Sequence, residues 1–394
     1  MWYMMEEKKH IWGKVMMGGL YALYGASCLF LYYKMCQPPE GMYHSDLPAH
    51  IASGVEERGY SFLEILYKYL CHAGIGSKAI PLLLMCLTLA AIYLSYRLIT
   101  QMYPKGNAVA MHLLAFAANL EMPLYLSFIH PKRNMGLQTG SMWHNDTYLG
   151  MRVFGLLVLL LYFKHQETYK ESFKGKQWIG FAAALFMANF MKPNFLLSFA
   201  PVMGILLLRD LIQSRGKEIK AIFWFGLAVI PSLFILIFQS VRLFGEGTGG
   251  GSIGFSVAYI LCLRNEHPIC SLLQSAAFPL AVLLLHAKDL VRDRIYGTSW
   301  LIWLFGLLEF LFLNQTGACI NDGNLTWGYS FCLTLIFTVS AAKLYQKWQE
   351  RRTEDRKYTA YDAGLFVCAA LLLWHVVDGM IFYGGLLQGL PYAR

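Results

Sequence analysis

Charge is scarce in this sequence. Asp, Glu, Lys and Arg supply only 14% of its 394 residues, where a soluble globular domain carries roughly a quarter. With 57% hydrophobic residues and a mean hydropathy of +0.43, that shortage excludes a soluble globule and specifies a polytopic membrane protein. A basic stripe with interleaved aromatics is also missing, so the formal charge of +9 concerns topology and anionic membrane lipids and not nucleic acid. No Cys-x-x-Cys pair occurs among the nine cysteines, so neither a zinc site nor a disulfide framework follows. Cys36, Cys71, Cys262 and Cys270 nevertheless fall outside the membrane, which leaves room for one disulfide. The N-terminal stretch lacks a small-residue cleavage site, so its apolar run is expected to remain as a first helix. Finally, the run Gly245-Glu246-Gly247-Thr248-Gly249-Gly250-Gly251-Ser252 is not followed by Gly-Lys-Ser/Thr. That excludes a P-loop and leaves a flexible external loop, able to order over a substrate with Arg242 and Arg264 at its flanks.

Long apolar runs are what the chain does have. A spanning helix needs about 20 apolar residues, fewer where the bilayer is locally thinned. That ruler predicts eleven helices, near 15–34, 79–99, 108–126, 148–163, 177–191, 194–208, 221–238, 272–285, 300–313, 326–342 and 362–383. The expected fold is all-α, a polytopic transmembrane bundle forming one integral membrane domain over residues 1–394. Lys192-Pro193 divides 177–208, because proline removes a donor and disfavours helix at the residue before it. With the N-terminus inside, 22 of the 33 Lys and Arg residues lie in cytoplasmic segments, as the positive-inside rule requires. The C-terminus is then outside, and the longer external segments are 35–78, 127–147, 239–271 and 314–325. Within the first of these, Leu47, Ile51, Val55, Phe62, Leu63, Leu66, Tyr69 and Leu70 recur at three- and four-residue spacing. Glu56, Glu57, Arg58, Glu64 and Lys68 fall mostly between them. This is the pattern of amphipathic helices lying in the interface.

The external segments hold most of the residues capable of chemistry. Tyr43-His44-Ser45-Asp46-Leu47-Pro48-Ala49-His50 crowds a carboxylate and two imidazoles beside the membrane, where such groups are expensive unless they face water or one another. A second reading, with Asp46 or Ser45 as the cap of a following helix, stands beside it. His130-Pro131-Lys132-Arg133 leads on to Trp143-His144-Asn145-Asp146-Thr147, where Asn145 or Asp146 would cap the helix at 148. Arg152, one turn further in, needs an anion, a carbonyl or water. Lys192-Pro193-Asn194 offers a point charge for phosphate or a lysine snorkelling from a kink. Asn321-Asp322-Gly323-Asn324, followed by Trp327, is turn chemistry; the same amides and rings also suit a sugar.

The order of a first helix, an external Asp-bearing segment with interfacial helices and some ten further spans resembles the GT-C fold of membrane glycosyltransferases. The stretches Trp143-His144-Asn145-Asp146-Thr147, Lys192-Pro193-Asn194 and Gly323-Asn324-Leu325-Thr326-Trp327-Gly328-Tyr329 are similar to segments of bacterial polytopic proteins of that type. The resemblance implies transfer of a sugar from a polyprenyl-phosphate donor to a glycan or lipid acceptor at the outer face of a bacterial plasma membrane. It implies Asp46 as general base, with His44 and His50 beside it. The leaving phosphate would meet Lys132, Arg133, Lys192 or Arg264. Trp143, His144, Asn145, Asp146, Asn321, Asp322, Asn324 and Trp327 would line the substrate. No cofactor is demanded and no metal ligand set is nominated, although the histidines admit a divalent cation. Partial burial is expected to raise the Asp46 pKa, and Asp46, His144 and Asn321 or Asn324 are expected to share one external cavity. Two departures stand out: no second carboxylate adjoins Asp46, and no soluble C-terminal domain follows the last span. An envelope polymerase or ligase would look much the same. A transporter or flippase would need midplane ionisable residues and internal repeats, of which the sequence offers few.

Overall fold

The computed structural model describes residues 2–131, 133, 142–166, 168–172, 175–245, 251–353 and 357–391, with the side chains of 2–11 and 171–172 outside the description. Every apolar segment read from the sequence carries helix. In chain order the spans and half-spans are α1 (Trp2–Cys36), α4 (Gly76–Met102), α5 (Ala108–Leu120), α6 (Asp146–Gln166), α8 (Lys176–Met191) and α9 (Asn194–Gln213). They continue with α10 (Ile219–Leu227), α11 (Ile230–Phe244), α13 (Pro268–Leu285), α15 (Arg294–Phe312), α16 (Thr326–Arg352) and α17 (Ala360–Leu387). Short helices α7 (Tyr169–Ser172), α12 (Tyr259–Arg264) and α14 (Asp289–Arg292) lie in the connections. Among the described residues nine segments are long and apolar enough to cross a membrane, α10 and α11 counting together as one. The 13-residue α5 and the 16-residue α8 are shorter. The two amphipathic segments expected after α1 are helical, as α2 (Leu47–Val55) and α3 (Phe62–His72). A capping box starts α3: Glu64 N donates to Ser61 Oγ and the Glu64 carboxylate accepts from Ser61 N, which pairs two otherwise orphaned amides.

Helix α16 forms the centre of the bundle. Its most apolar window is 94% buried although it is the least apolar of the nine candidate spans. Ser330, Thr334 and Thr338 turn their hydroxyls back onto carbonyls four residues earlier, so hydroxyl groups can sit in the core already satisfied.

One expected span is corrected, and another is interrupted. The segment 108–126 is helical only to Leu120, and residues 121–126 form no regular structure, since Pro123 lacks an amide hydrogen and disfavours helix before it. Irregular backbone survives inside a membrane protein only where protein satisfies it. Here Met122 N donates to His375 O (3.1 Å) and Leu124 N to Gln274 O (3.2 Å), while Gln274 Nε2 donates to Leu124 O (3.0 Å). The approach depends on glycine: a Cβ on Gly379 would stand 1.4 Å from Leu120 O. The expected span 221–238 falls within one candidate span, Ile219–Phe244, whose helix is interrupted at Ala228 and Val229 between α10 and α11. Pro231 in the first turn of α11 accounts for a restart there, where its missing donor is harmless.

One short ribbon accompanies the helices of this all-α fold. Strand β1 (Ile253–Phe255) pairs antiparallel with β2 (Leu313–Gln315), Ile253 opposite Gln315. This ribbon fastens the end of the glycine-rich loop to the C-terminal end of α15, and Ser252 adds backbone and hydroxyl bonds to Thr316. All nine cysteines are free thiols, so the disulfide allowed by the sequence is not formed.

Candidate functional site

Asp46 occupies the N-cap position of α2, yet its side chain caps nothing. The carboxylate is directed elsewhere: His144 Nε2 lies 3.2 Å from Oδ1, and Asn145 Nδ2 donates to Oδ2 at 2.7 Å. The Asp46 amide also donates to His144 O (2.9 Å), so backbone and side chain together tie the segment after α1 to the entrance of α6. Asn145 does both jobs considered for it. Its Oδ1 accepts from Tyr148 N (2.8 Å), capping α6, while its amide nitrogen holds Asp46.

A second carboxylate supplies what the first segment lacks, from a distant part of the chain. Asp146 Oδ1 is 2.5 Å from His50 Nδ1, and Tyr67 OH donates to Oδ2 at 2.8 Å. The two acids and two imidazoles are therefore crossed: Asp46 with His144, Asp146 with His50. The cation follows. Lys192 Nζ donates to Thr147 Oγ1 (3.2 Å), and Thr147 donates to Asn145 Oδ1 (2.8 Å). From Lys192 through Thr147 and Asn145 to Asp46 each group donates to the next, an arrangement in which the bonds polarise one another. The Lys192 ammonium also lies 5.1 Å above the Trp327 ring, and that ring packs on Tyr148 with centroids 5.2 Å apart.

Electrostatics separate these groups. Burial pushes the Asp46 carboxyl up, but the hydrogen bond and charge of His144, with Asn145 and His50, outweigh it and hold the group well below the usual carboxylate range. The expected raised pKa is thus overturned, because hydrogen bonds to the charged form exceed desolvation. For His50 burial acts downward, but the Asp146 charge and hydrogen bond raise its pKa. Lys192 is depressed to about 8 by burial, with Asp46, Asp146 and Glu64 opposing a further fall.

Lys192 also lines a cavity of about 210 Å³ between the α8–α9 break, α11 and the ribbon. Asn194, Gln239, Gln315 and Asn324 give it polar lining, and Leu197, Leu236 and Leu243 an apolar wall. Behind Asn194 sits a buried carboxylate in α15. Glu309 accepts from Asn194 Nδ2 (3.1 Å) and Ser198 Oγ (2.9 Å), and a Cβ on Gly328 would come within 2.3 Å of it.

The remaining candidates divide. Trp143 is buried against Tyr383 (4.7 Å between centroids) and acts as a wall. Asn324 joins the Lys192 cavity and bonds Gln315 (2.6 Å). Arg264 instead clamps the loop carbonyls of Asn321 and Asp322, and Asn321 accepts from Tyr259; these three are exposed and apart from the Asp46 centre. His44 is exposed, and among the described residues no hydrogen bond links it to the cluster. Arg133 pairs with Asp378 of α17 (2.5 Å). Lys132 lies outside the described residues. The single cavity expected for Asp46, His144 and Asn321 or Asn324 therefore resolves into two parts. Asn324 faces the Lys192 cavity, and Asp46 with His144 joins it only through Thr147 and Asn145. Among the described residues no cluster of three or more His, Cys, Asp or Glu side chains could hold a metal ion. Arg152 is fully buried and donates to Asn119 Oδ1 (2.9 Å), which supplies the acceptor its position required.

Sequence reasoning passed over Tyr67, Ser198 and Gln239. Tyr67 lies among the apolar positions of an amphipathic helix, where nothing distinguishes it from a packing residue.

Fold and site together define an all-helical integral membrane protein with a polar centre at one end of its bundle. No family model, curated protein or solved structure matches the chain.

Proposed function

We propose that the protein transfers a sugar from a polyprenyl-phosphate donor to an envelope glycan or lipid acceptor at the outer face of a bacterial plasma membrane, as in GT-C glycosyltransferases. One observation carries the reading: a half-exposed, ionised Asp46 is connected through Asn145 and Thr147 to a buried lysine at the rim of a cavity with one polar and one apolar wall. A lipid phosphate needs a cation or donors for its head and an apolar surface for its chain, and this cavity offers both. In the reaction the acceptor oxygen bonds to the anomeric carbon as the bond from that carbon to the phosphate oxygen breaks. Asp46 takes the hydroxyl proton late, when the attacking oxygen is already acidic, so its low basicity is tolerable. Lys192, protonated below about pH 8, meets the charge gathering on the leaving phosphate. Partners are thus the lipid-linked sugar, its acceptor and membrane lipid.

The topology belongs to the same proposal. Helices α5 and α8 complete eleven crossings, with the N-terminus inside and the C-terminus outside, which brings Asp46, His144, Lys192 and Asn324 to the external end. An envelope polymerase or ligase would use the same groups. A transport reading draws on the buried Arg152 and Glu309, but both are engaged in internal hydrogen bonds, so transfer is favoured.

The test is to incubate membranes containing the protein with a panel of polyprenyl-phosphate sugars and follow release of the lipid phosphate. Consumption of one donor that depends on the protein supports the reading; consumption of none, alongside substrate uptake into sealed vesicles, would overturn it.

A further inference from the structure

A second cavity, which shares no lining residue with the Lys192 cavity, lies beside the C-terminal part of α17. It measures about 570 Å³ and is bounded by Tyr125, Arg133 and, at the C-terminal end of α17, Gly384, Gly385 and Gln388. That volume is in the range of small-molecule sites, and the rim residues Ile381, Gln388 and Leu390 are exposed.

Its polar groups form a balanced set. Arg133 Nη1 donates to Asp378 Oδ1 (2.5 Å), its guanidinium lies 4.2 Å from the Tyr125 ring centroid, and Asp378 Oδ2 also accepts from Tyr125 N (2.9 Å). The guanidinium charge is already offset by Asp378, so an anionic ligand gains little from it. Hydroxyl groups, each both donor and acceptor, match an Arg–Asp pair beside a glutamine amide. The Gly384-Gly385 pair removes side chains from one wall: a Cβ on Gly384 meets nothing within 4 Å.

The cavity is also mechanically continuous with the Asp46 centre. Tyr383, the residue before Gly384, packs on Trp143, whose neighbour His144 holds Asp46. At the other edge, Tyr43 OH donates to Leu387 O (3.3 Å) and Tyr43 N to Gly389 O (3.4 Å). Asp46 is three residues away.

We infer that this cavity is a second substrate subsite, which binds an uncharged sugar of the acceptor glycan through Arg133, held in place by Asp378 behind it, and Gln388. The inference rests on the sugar-transfer reading for its purpose but not for its test. Saturation-transfer NMR is run on the full chain in phosphatidylcholine nanodiscs. The probes are the methyl glycosides of N-acetylglucosamine and of mannose, with glucose 1-phosphate as the anionic comparison. At least one neutral glycoside should give a saturable signal, weakened about tenfold or more by Gly384→Leu, which fills open space, and by Gln388→Ala. Asp46→Asn should bind it as wild type does. No neutral signal in wild type, a signal confined to glucose 1-phosphate, or binding undiminished in Gly384→Leu would each overturn the subsite. Binding that follows these variants in a protein that transfers no sugar would leave the subsite standing and remove the transfer reading.

Discussion

Asn145→Asp tests the bond at the heart of the site. The new side chain keeps the cap, since one oxygen still accepts from Tyr148 N, but it replaces the amide donor with a carboxylate facing Asp46. At the present 2.7 Å contact, two ionised carboxylates repel by about 6 kcal/mol at an effective dielectric of about 20. Water reaching the Asp46 side chain, 37% exposed, screens this to a few kcal/mol. That still suffices for the pair to retain a shared proton. The pH dependence then changes sign. In wild type the depressed Asp46 pKa contributes stability that is present above the unfolded value and lost as pH falls through the folded one. In the variant the raised pair contributes stability present in acid and lost as pH rises. Thermal unfolding followed by tryptophan fluorescence, between about pH 5 and 9, reads this directly. Asn145→Ala is the control: it loses the cap, about 1 kcal/mol, and a charged hydrogen bond, about 1.5–3 kcal/mol, without the new pH dependence. An Asn145→Asp curve parallel to that control would refute the contact.

His50→Gln should flatten a different limb of the profile. The raised His50 pKa gives stability that is complete below about pH 6.5 and lost as pH climbs through the folded value, so the wild-type loss on the alkaline side should shrink in this variant. Lys192→Met acts in the other direction. A lysine depressed to about 8 makes wild type gain stability between about pH 8 and 10.5, and unfolding measured at both ends should show that gain absent from the variant. Gly379→Ala should abolish accumulation of folded protein, read by size-exclusion of the solubilised membrane fraction, because its methyl carbon would fall 1.4 Å from Leu120 O on backbone locked between two helices.

Long apolar runs made the helices legible because burial in lipid dictates length and composition together. Where protein replaces lipid, that ruler fails. The irregular stretch from Glu121 to Leu126 is held by His375 and Gln274, partners some 250 and 150 residues away in sequence that no local pattern reveals. The site was legible in the same uneven way. Asp46, His144, Asn145 and Lys192 stood out because polar residues crowd beside apolar runs. The partnership of Asp146 with His50, and not with a neighbour in its own loop, depends on tertiary packing. So does the depressed Asp46 pKa: burial was readable from the amphipathic helices after it, but the donors that overcome burial, His144 and Asn145, come from a segment about 100 residues further on. Arg264, Asn321 and Asp322 show another long-range contact, since Arg264 of α12 donates to the carbonyls of a turn nearly sixty residues further on, which no local pattern announces.

The central claim is tested most directly by single-turnover transfer in nanodiscs, comparing wild type with Asp46→Asn on the donor identified from the lipid-linked panel, with donor binding measured in parallel. Asn at this position keeps the size of the side chain, so abundance and donor binding should be unchanged. Removal of a proton acceptor should slow transfer by about a hundredfold or more. Transfer by Asp46→Asn at the wild-type rate would contradict the role given to Asp46.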